Sequence, residues 1–573
     1  MYMEINKAYT LWCEKATDDP DLIPELLSVK DDNDAISDRF YRELEFGTAG
    51  LRGVIGAGTN RMNVYTVGRA SQGIADYVNS ITDCGSIAIA YDSRIKSRLF
   101  AETAAGVFAA NGITAYIYDE LMPTPMLSFA VRYLKCNAGV VITASHNPAK
   151  YNGYKAYGPD GCQLNLEASN LVFSYIEKTD FFTGIKKLAF EDGIKCGKIK
   201  YIENEVIEAF LDNCKTQSLS PEILGASDMA VVYTPLHGTG NKPVREILKR
   251  VGIKNVTVVP EQELPDGHFP TAPYPNPELS QPFECALKLA ETVKPDILLG
   301  TDPDCDRVGI AVCNNGKYEL MSGNQVGALL LDYILRKRTE LGTLPENPIA
   351  VKTIVTSEIC QKIADKYGCE LRNVLTGFKF IGEQIFGLEE KNEQDRYVFG
   401  FEESYGYLSG TFVRDKDAVT ASMLICEMAC YYKNLGKNLF EALQDIENEL
   451  GYYTNKQSSY TFEGQQGMQT MTSIMSELGK TPPAEIAGSA VCEIRDYKAS
   501  VAKDLKTGKE RRIELPSSDV LEFRLDNGCS LIVRPSGTEP KIKIYLSSIG
   551  TSKAESIALC NALKAAGDKL MNK

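Results

Sequence analysis

The sequence predicts an α/β fold with mainly parallel sheets, because short buried strand patterns alternate with helical ones along the chain. The apolar strand patterns lie at residues 86–91, 138–142, 229–233, 296–299 and 350–355. Helical periodicity separates them, for example over residues 99–111 and 206–213. Several strand patterns run directly into polar loops, which is where open α/β sheets place their ligands.

The length of 573 residues predicts three to five domains at roughly 100–200 residues each. A hydrophobic content of 44% is typical of a globular chain. We place domain boundaries near residues 205, 320 and 448, which gives the segments 1–205, 206–320, 321–447 and 448–573. No low-complexity linker separates these segments, so we expect them to pack around one central cleft.

The net charge of −14 argues against a nucleic-acid partner and favours solubility. The 16 cysteines show no paired or metal-binding spacing, which predicts reduced thiols, and 3 histidines leave little room for a zinc site. No apolar run approaches a membrane span, and the N-terminal residues lack the apolar core of a signal peptide. We therefore expect a cytoplasmic protein without a membrane partner.

One turn presents a serine in a setting suited to phosphate. Residues 138–142 form a buried strand pattern, and residues 143–148 (Thr-Ala-Ser-His-Asn-Pro) follow it. This places Ser145 and His146 on a turn whose successive N–H groups favour an anion. A seryl hydroxyl is a weak nucleophile, but a phosphorylated serine can donate its phosphoryl group. The plain alternative is a turn that only connects two elements.

A second loop carries three alternating carboxylates. Asp302, Asp304 and Asp306 follow the strand pattern at 296–299. Converging carboxylates are costly unless a cation neutralises them, and hard oxygen ligands of this kind suit Mg²⁺. An EF-hand would need Gly and Glu at loop positions six and twelve, where this chain has Arg307 and Cys313. The calcium-loop interpretation therefore fails.

Two further loops carry groups that bind sugars and phosphate. Glu402 and Ser404 follow a third strand pattern and can hydrogen-bond vicinal hydroxyls. Arg534 follows a fourth and offers a planar fork for phosphate. Its neighbours Ser536, Gly537 and Thr538 add hydroxyls and closely approaching backbone donors. An ordinary hairpin turn is the alternative for this last loop.

Together, in this order, the four loops resemble those of the α-D-phosphohexomutase superfamily, and most closely its long-chain phosphoglucomutase branch. The resemblance covers about residue 40 to about residue 545, and shorter segments at 47–53, 151–155, 376–379 and 414–417 are also similar. It implies three related α/β domains with mixed, mainly parallel sheets and a C-terminal α+β domain around a central active-site cleft.

The resemblance also implies a mechanism. Ser145 would be phosphorylated in the resting enzyme, and Mg²⁺ would be held by a phosphoserine oxygen and by the three aspartates. A hexose 1-phosphate held by Arg534, Ser536 and Thr538 would accept the phosphoryl group on its 6-hydroxyl. The resulting glucose 1,6-bisphosphate would turn and return its other phosphate to Ser145, and free bisphosphate would act as the activating phosphoryl donor. Such an enzyme is an isomerase, an intramolecular phosphotransferase.

The resemblance assigns further candidates. Lys155 would be an acid–base partner of Ser145 or would steady the phosphoryl group. His146 would orient phosphate, and Arg52 and Arg307 would contact phosphate or phosphoserine. The remaining candidates would line the sugar or phosphate region: Thr376, Gly377, Lys379, Lys416 and His237. The alternative is a surface or packing role for Lys379, Lys416 and His237, and a surface charge for Arg52. For Lys155 it is a solvated lysine, and for His146 a turn histidine bonded to backbone.

The preferred sugar stays open in the sequence. Where family members that accept both mannose and glucose often have Met and His, this sugar loop has Glu403 and Gly406. That favours glucose, while phosphomannomutase and phosphopentomutase activities remain alternatives on the same mechanism. A catalytically silent sugar-phosphate binding protein is the rival class, and a metal-dependent phosphatase is a third. The expected partners are small sugar phosphates, and the sequence is compatible with a monomer or a dimer.

Overall fold

Four β-sheets with their helices form the framework of the described residues. The computed structural model describes residues 2–47, 50–462, 464–536 and 541–571. The chain divides into two units. Unit 1 comprises Met1–Met321, Gly382–Gln394 and Tyr405–Tyr431, and unit 2 comprises Ser322–Ile381, Asp395–Ser404 and Tyr432–Lys573.

The first sheet of unit 1 has six strands in the order β1-β5-β4-β2-β3-β6. Strands β2, β3, β4 and β6 run parallel, whereas β5 is antiparallel to both β1 and β4. The strands are β1 (Gly50–Val54), β2 (Ser86–Tyr91), β3 (Thr114–Ile117), β4 (Ala138–Ile142), β5 (Tyr151–Tyr157) and β6 (Ile199–Tyr201). The helices are α1 (Tyr2–Lys15), α2 (Leu22–Ser28), α3 (Asn33–Phe40), α4 (Val64–Ile81), α5 (Ser97–Ala110), α6 (Thr124–Tyr133), α7 (Leu166–Lys178), α8 (Phe190–Lys195), α9 (Asn204–Lys215) and α10 (Pro221–Ala226).

Local sequence explains why these elements form. All five residues of β4 are buried, as expected for an apolar strand in the middle of a parallel sheet. Helix α4 begins with a capping box, in which the side chains of Asn63 and Thr66 satisfy N–H groups of the first turn. The core behind the sheet includes Ile89, Val140 and Phe108. Buried β4 therefore carries the serine turn on a rigid support.

The second sheet of unit 1 has the order β11-β10-β9-β7-β8. Strand β7 pairs in parallel with β8 and β9, and β10 is antiparallel to β9 and β11. The strands are β7 (Ala230–Thr234), β8 (Asn255–Val258), β9 (Ile297–Thr301), β10 (Val308–Asn314) and β11 (Lys317–Met321). The helices are α11 (Asn241–Arg250), α12 (Pro260–Glu263) and α13 (Glu284–Val293), with a 3₁₀ turn at Gln281–Phe283. Residues 302–307, the acidic loop, connect β9 to its antiparallel neighbour β10.

The next stretch of chain contains the strands β12 (Ile349–Thr353), β13 (Glu370–Val374), β14 (Tyr397–Glu402) and β15 (Gly406–Leu408). In unit 2, β12 pairs in parallel with β13 and with β14. The helices are α14 (Gly323–Glu340), α15 (Ile359–Lys366), α16 (Lys379–Glu389), α17 (Ala418–Asn434) and α18 (Leu439–Leu450), with a 3₁₀ turn at Gln394–Arg396. Capping boxes start α14 at Ser322 and α18 at Asn438.

The last sheet, in unit 2, is antiparallel with the order β16-β23-β22-β21-β18-β19-β20, and β17 pairs with β18. The strands are β16 (Tyr452–Thr461), β17 (Glu485–Ile486), β18 (Ser489–Asp496), β19 (Val501–Asp504), β20 (Glu510–Arg512), β21 (Leu521–Leu525), β22 (Ser530–Pro535) and β23 (Lys541–Gly550). Helices α19 (Gly464–Lys480) and α20 (Lys553–Met571) contribute Ile474 and Leu563 to its core. Among the helices in the described ranges, none is long and apolar enough to cross a membrane.

A glycine in α14 tests how tightly this helix packs in unit 2. A Cβ atom at Gly327 would lie 2.0 Å from Cε2 and 2.2 Å from Cδ2 of the Phe401 ring. We expect Gly327→Ala to lower the free energy of unfolding by about 1–3 kcal/mol, because a rigid ring and a helix must separate. Urea unfolding followed by circular dichroism measures this change.

Gly479→Ala is the matched control. Gly479 lies within α19, and an added Cβ would meet nothing within 4 Å. We expect this variant to gain about 0.5–1 kcal/mol from the better helix propensity of alanine. Equal effects of the two substitutions would contradict the packing of α14 against Phe401.

Candidate active site

The serine turn is held in a specific backbone conformation. Ser145 has a φ of 50°, in the left-handed region, which costs a non-glycine residue on the order of 1 kcal/mol or more. Its N–H donates to Oγ1 of Thr143 at 2.8 Å, and the N–H of Asn147 donates to the carbonyl of Ala144 at 3.1 Å. The Ser145 side chain is buried. The strained turn thus aims one hydroxyl in a fixed direction.

That hydroxyl points at the acidic loop. Ser145 Oγ donates to Oδ2 of Asp302 at 2.8 Å and lies 3.2 Å from Nδ1 of His146. The two loops are 157 residues apart in sequence, yet they meet within unit 1.

The three carboxylates converge without exposure to solvent. Ligand atoms of Asp302, Asp304 and Asp306 lie within 4.8 Å of one another, and all three side chains are buried. Oδ1 of Asp302 accepts the N–H groups of Asp306 and Arg307 at 3.1 and 3.0 Å. Among the described residues, Oδ1 of Asp304 and Oδ1 of Asp306 accept no hydrogen bond. Unsatisfied buried carboxylate oxygens fit a hard divalent cation.

Lysines from two other segments contact these acids. Lys155 Nζ, on β5, lies 2.8 Å from Oδ2 of Asp304 and 3.2 Å from Oδ2 of Asp306. Lys416 Nζ lies 3.3 Å from Oδ2 of Asp306 and 3.1 Å from Oδ1 of Asp415. These contacts place two predicted site residues directly on the acidic loop.

Burial and charge set the protonation of this cluster. Burial raises the pKa of the Asp302 carboxyl well above its ordinary value, and repulsion from Asp304 and Asp306 raises it further. Burial also raises the pKa of Asp304, but the Lys155 ammonium outweighs it and brings that pKa below its ordinary value. Burial lowers the pKa of Lys155, but Asp304 and Asp306 reverse the shift and raise it. Lys155 is therefore protonated at neutral pH, and Asp304 is ionised.

Two predicted arginines lie on the acidic loop and on β1. Nη1 of Arg307, the last residue of the acidic loop, donates to Oε1 of Glu278 at 2.9 Å. Arg52 lies on β1 opposite Gly153 of β5, and its side chain is exposed.

A Cβ atom at Gly153 would lie 2.4 Å from the carbonyl oxygen of Thr143, so only glycine lets β5 pass the serine turn this closely.

His237 contacts the segment at residues 264–271. Its Nδ1 lies 3.2 Å from the carbonyl of Leu264, and its Nε2 lies 2.9 Å from Oγ1 of Thr271. The ring is buried, and Leu236 and His237 both have positive φ angles of 47° and 60°. These contacts orient the ring toward the segment around residues 264–271.

The predicted sugar residues lie in unit 2. Glu402 ends β14 and is buried, and Ser404 is half-buried. The neighbouring Glu403 accepts a hydrogen bond from Oγ1 of Thr353 at 3.0 Å. Thr353 thereby supports the second glutamate of this loop.

The segment before α16 supplies three more candidates. Oγ1 of Thr376 is buried and has no hydrogen-bond partner among the residues that the structure describes. Gly377 has a φ of 123°, a conformation that favours glycine. Lys379 is the first residue of α16, and its ammonium lies 5.1 Å from the centre of the Phe380 ring.

The predicted phosphate residues also lie in unit 2. Arg534 lies within β22, whereas the sequence pattern predicted that it follows the strand. Its Nη1 donates to the hydroxyl of Tyr545 at 3.3 Å. The N–H of Ser536 donates to the carbonyl of Lys541 at 2.8 Å. The other two candidates, Gly537 and Thr538, lie outside the described residues.

Thr124 and Tyr545 are among the side chains that contact these groups and that sequence reasoning missed. Thr124, the first residue of α6, donates from Oγ1 to Oδ2 of Asp304 at 2.8 Å and from N–H to its carbonyl at 2.9 Å. Tyr545 of β23 contacts Arg534 as described above. The prolines around Thr124 signalled a helix start, but nothing local signalled its partner 180 residues away.

Comparison with family models gives four consecutive matches. They are described as phosphoglucomutase/phosphomannomutase α/β/α domain I over residues 43–183, domain II over 208–316, domain III over 322–449 and C-terminal domain over 487–560. The chain belongs to the phosphoglucomutase/phosphomannomutase family. The predicted fold class, three α/β domains with mixed sheets followed by a C-terminal domain, is confirmed. The boundaries near residues 205, 320 and 448 stay predictions.

Curated relatives of the family cover nearly the whole chain. A phosphoglucomutase of Staphylococcus saprophyticus is 39% identical over 513 residues, which is 89% of this chain and 91% of the relative. A phosphoglucomutase of Staphylococcus aureus is 39% identical over 538 residues, which is 94% of this chain and 95% of the relative.

Solved structures of family members share the fold. A Burkholderia thailandensis family protein has a TM-score of 0.66 at 15% identity, over 92% of this chain and 96% of its own. The Paramecium phosphoglucomutase parafusin, in an open form, has a TM-score of 0.66 at 17% identity, over 93% and 96%. At these identities the likeness concerns the fold alone.

The carboxyl of Asp417 is buried, and it follows Lys416, which contacts the acidic loop. Its titration therefore tests how pH affects stability in this part of unit 1. Asp417 lies directly before α17 and accepts hydrogen bonds from the N–H groups of Val419 and Thr420 at 2.9 and 3.0 Å. Burial nonetheless raises its pKa to about 6 from an ordinary value of 3.8. The carboxyl is neutral in both states below that ordinary pKa, whereas above about pH 6 the folded state holds a buried charge. The contribution of the protonated Asp417 carboxyl to the free energy of unfolding is therefore lost as the pH rises from about 4 to about 6.

We expect the free energy of unfolding of Asp417→Asn to rise relative to the unsubstituted protein by up to about 3 kcal/mol across this interval. Asparagine keeps a side-chain oxygen for the helix N–H groups but has no proton to lose. Urea unfolding of both proteins at several pH values gives the difference, in which other titrating groups cancel. If the difference in free energy of unfolding between the two proteins did not change with pH, the raised pKa of Asp417 would be wrong.

Proposed function

We propose that the chain is a phosphoglucomutase that interconverts α-D-glucose 1-phosphate and glucose 6-phosphate through a phosphorylated Ser145. The observation that carries this proposal is the contact of Ser145 Oγ with Asp302 at 2.8 Å, inside a buried group of three carboxylates. Relatives 37–39% identical over most of the chain are named phosphoglucomutases, which supports glucose as the sugar.

The transfer step exchanges one phosphorus–oxygen bond for another. The bond from phosphorus to Ser145 Oγ breaks as the 6-hydroxyl oxygen of glucose 1-phosphate bonds to the phosphorus. The 6-hydroxyl loses one proton and the released Ser145 oxygen gains one, so the step neither consumes nor releases a proton overall. Lys155 is protonated beside Asp304 and Asp306, so we assign it to donating that proton or balancing charge rather than abstracting a proton. His146, 3.2 Å from Ser145 Oγ, orients the phosphoryl group.

The second half of the reaction reverses these roles. Glucose 1,6-bisphosphate turns and presents its 1-phosphate to the free Ser145 hydroxyl, which regains a phosphoryl group as glucose 6-phosphate leaves. Free glucose 1,6-bisphosphate activates unphosphorylated protein by the same step. Arg307, at the end of the acidic loop, and Arg52, on β1 next to β5, are assigned to neutralising the phosphoryl group in transit.

Oxygens of Asp302, Asp304, Asp306 and phosphorylated Ser145 are the groups that would hold Mg²⁺. When bound, the cation withdraws charge from the phosphoryl group and so lowers the barrier to its transfer. The unsatisfied Oδ1 atoms of Asp304 and Asp306 support this assignment.

The residues of unit 2 are assigned to the substrate. Arg534, Ser536, Gly537 and Thr538 hold the phosphate that does not react, and Glu402 and Ser404 bind sugar hydroxyls. Thr376, Gly377 and Lys379 are assigned to substrate binding in unit 2, and Lys416 is assigned to it in unit 1. Phosphomannomutase activity is the second candidate, because the matching family models are described by both activities. Comparing kcat/KM for glucose 1-phosphate and mannose 1-phosphate decides between them.

Replacing the serine removes the phosphoryl acceptor. We expect Ser145→Ala to lower turnover by at least about 10⁴-fold, because a methyl group cannot form the covalent intermediate. Intact mass spectrometry after incubation with glucose 1,6-bisphosphate should show one added phosphoryl group on the unsubstituted protein and none on Ser145→Ala.

The exposed Ser80 on α4 supplies the control. Ser80→Ala should take up one phosphoryl group and turn over at the unsubstituted rate. Substantial mutase activity in Ser145→Ala would remove the covalent role. A protein that binds the bisphosphate but never gains its phosphoryl group would support the silent binding protein instead.

Neutralising one acid tests the cation site. We expect Asp304→Asn to weaken Mg²⁺ or Mn²⁺ binding by about 10–100-fold, since one carboxylate ligand becomes an amide. Isothermal titration calorimetry measures this affinity without reference to activity. The exposed Asp83→Asn is the matched charge control and should bind as before. If Asp304→Asn and Asp83→Asn bind equally well, Asp304 is not a ligand.

A further inference from the structure

Arg94 lies directly behind the serine turn and binds its backbone. Its Nη2 donates to the carbonyls of Ser145 and Asn147, and its Nη1 donates to the carbonyls of Pro148 and Tyr151 at 3.1 and 3.0 Å. One guanidinium thus binds four carbonyl oxygens in the segment from Ser145 to the start of β5. No motif in the sequence marks Arg94 for this contact.

The guanidinium is itself held in place by an acid and a ring. Nε of Arg94 lies 3.2 Å from Oδ2 of Asp92, and both side chains are fully buried. The guanidinium carbon lies 5.0 Å from the centre of the Phe269 ring, a distance typical of a cation–π contact. Phe269 is fully buried and has a φ of 47°, so its backbone is constrained as well.

The segment 264–280 brings Phe269 to this position by close packing. A Cβ atom at Gly267 would lie 2.5 Å from the N atom of Ile95 and 2.7 Å from the carbonyl oxygen of Ser93. Glu278 of the same segment accepts a hydrogen bond from Arg307, at the end of the acidic loop, at 2.9 Å. This segment therefore contacts both Arg94, which binds the serine turn, and the last residue of the acidic loop.

We propose that Arg94 is a positioning residue for phosphoryl transfer, which holds the left-handed turn at Ser145, and that Phe269 fixes the plane of its guanidinium. This inference rests on the proposed function of Ser145. Arg94 acts through backbone carbonyls, so it sets the direction of Ser145 Oγ without contacting the reacting atoms.

The geometry requires arginine at this position. Four carbonyls are reached from two nitrogens of one planar group, whereas a lysine ammonium is a single point with three donors. A displacement of about 1 Å at a reacting atom can cost about 100-fold in rate. We therefore expect Arg94→Lys to lower the transfer rate by about 10–100-fold, and Phe269→Leu, which keeps the guanidinium but removes the ring, by about 3–10-fold.

The alternative is an arginine that only stabilises the fold. A stability defect lowers the fraction of active molecules, but it leaves the rate of each active molecule unchanged. The measurement must therefore count the phosphorylated molecules. Phe108→Leu serves as the control, because Phe108 is a fully buried phenylalanine of the same unit, on α5, and is not placed in the site.

The experiment uses the full chain. Each variant is incubated with glucose 1,6-bisphosphate, and intact mass spectrometry gives the phosphorylated fraction. Rapid-quench mixing with glucose 6-phosphate then gives the rate of loss of the phosphoryl group per phosphorylated molecule. Steady-state KM values for glucose 1-phosphate are measured in parallel. We expect the transfer rate to fall in Arg94→Lys and Phe269→Leu, with KM within about two-fold, and to be unchanged in Phe108→Leu.

Each outcome decides the matter. If Phe269→Leu and Arg94→Lys transfer at the unsubstituted rate per phosphorylated molecule, Arg94 is structural and the inference is wrong. If Arg94→Lys does not fold, the comparison of Phe269→Leu with Phe108→Leu decides. A lower transfer rate per phosphorylated molecule in Phe269→Leu alone supports the inference, and equal rates overturn it. If the unsubstituted protein gains no phosphoryl group, the proposed function fails, and this inference fails with it.

Discussion

The six residues between β9 and β10 carry three buried carboxylates, whose negative charge must be balanced by the groups around them. Removing even one carboxylate from water costs several kcal/mol unless partners repay it. The described residues supply such partners from separate segments: the hydroxyl of Ser145, the ammonium groups of Lys155 and Lys416, and N–H groups of the loop itself. Because those partners come from distant parts of the chain, the acidic loop holds the segments of unit 1 together at this point.

The secondary structure of unit 1 delivers these partners at fixed positions. Buried β4 ends at the serine turn, and antiparallel β5 returns beside it, so that Lys155 stands opposite Val141. Helix α6 begins at Thr124, whose N–H donates to the carbonyl oxygen of Asp304 and whose hydroxyl donates to its carboxylate. The carboxylate thus lies at the positive end of that helix, which stabilises both. Rigid elements, rather than flexible loops, set the distances at the candidate site.

Local patterns predicted much of this arrangement, and contacts between distant segments explain what they missed. The apolar runs predicted both ends of β2 and of β4 correctly, because buried strands in a parallel sheet are uniformly apolar. Strand β9 runs two residues beyond its predicted end, because Gly300 and Thr301 pair with β10. Ser145 and the three aspartates stood out as motifs. Arg94 and Thr124 did not, because their partners lie 51 to 180 residues away and follow no local pattern.

The same charge requirement bears on the proposed chemistry. As a free hydroxyl, Ser145 donates a hydrogen bond to Asp302 and so helps to satisfy the acids. A phosphoryl group on Ser145 would replace that donor with acceptor oxygens carrying up to about two negative charges. Lys155 is already shared by Asp304 and Asp306, and Lys416 by Asp306 and Asp415, so neither can balance the added charge alone. Under the proposed function, phosphorylation of Ser145 and binding of a cation would therefore favour each other, and such a linkage is reciprocal. The buried acids that would hold the cation would thus also favour transfer of the phosphoryl group away from a phosphorylated Ser145.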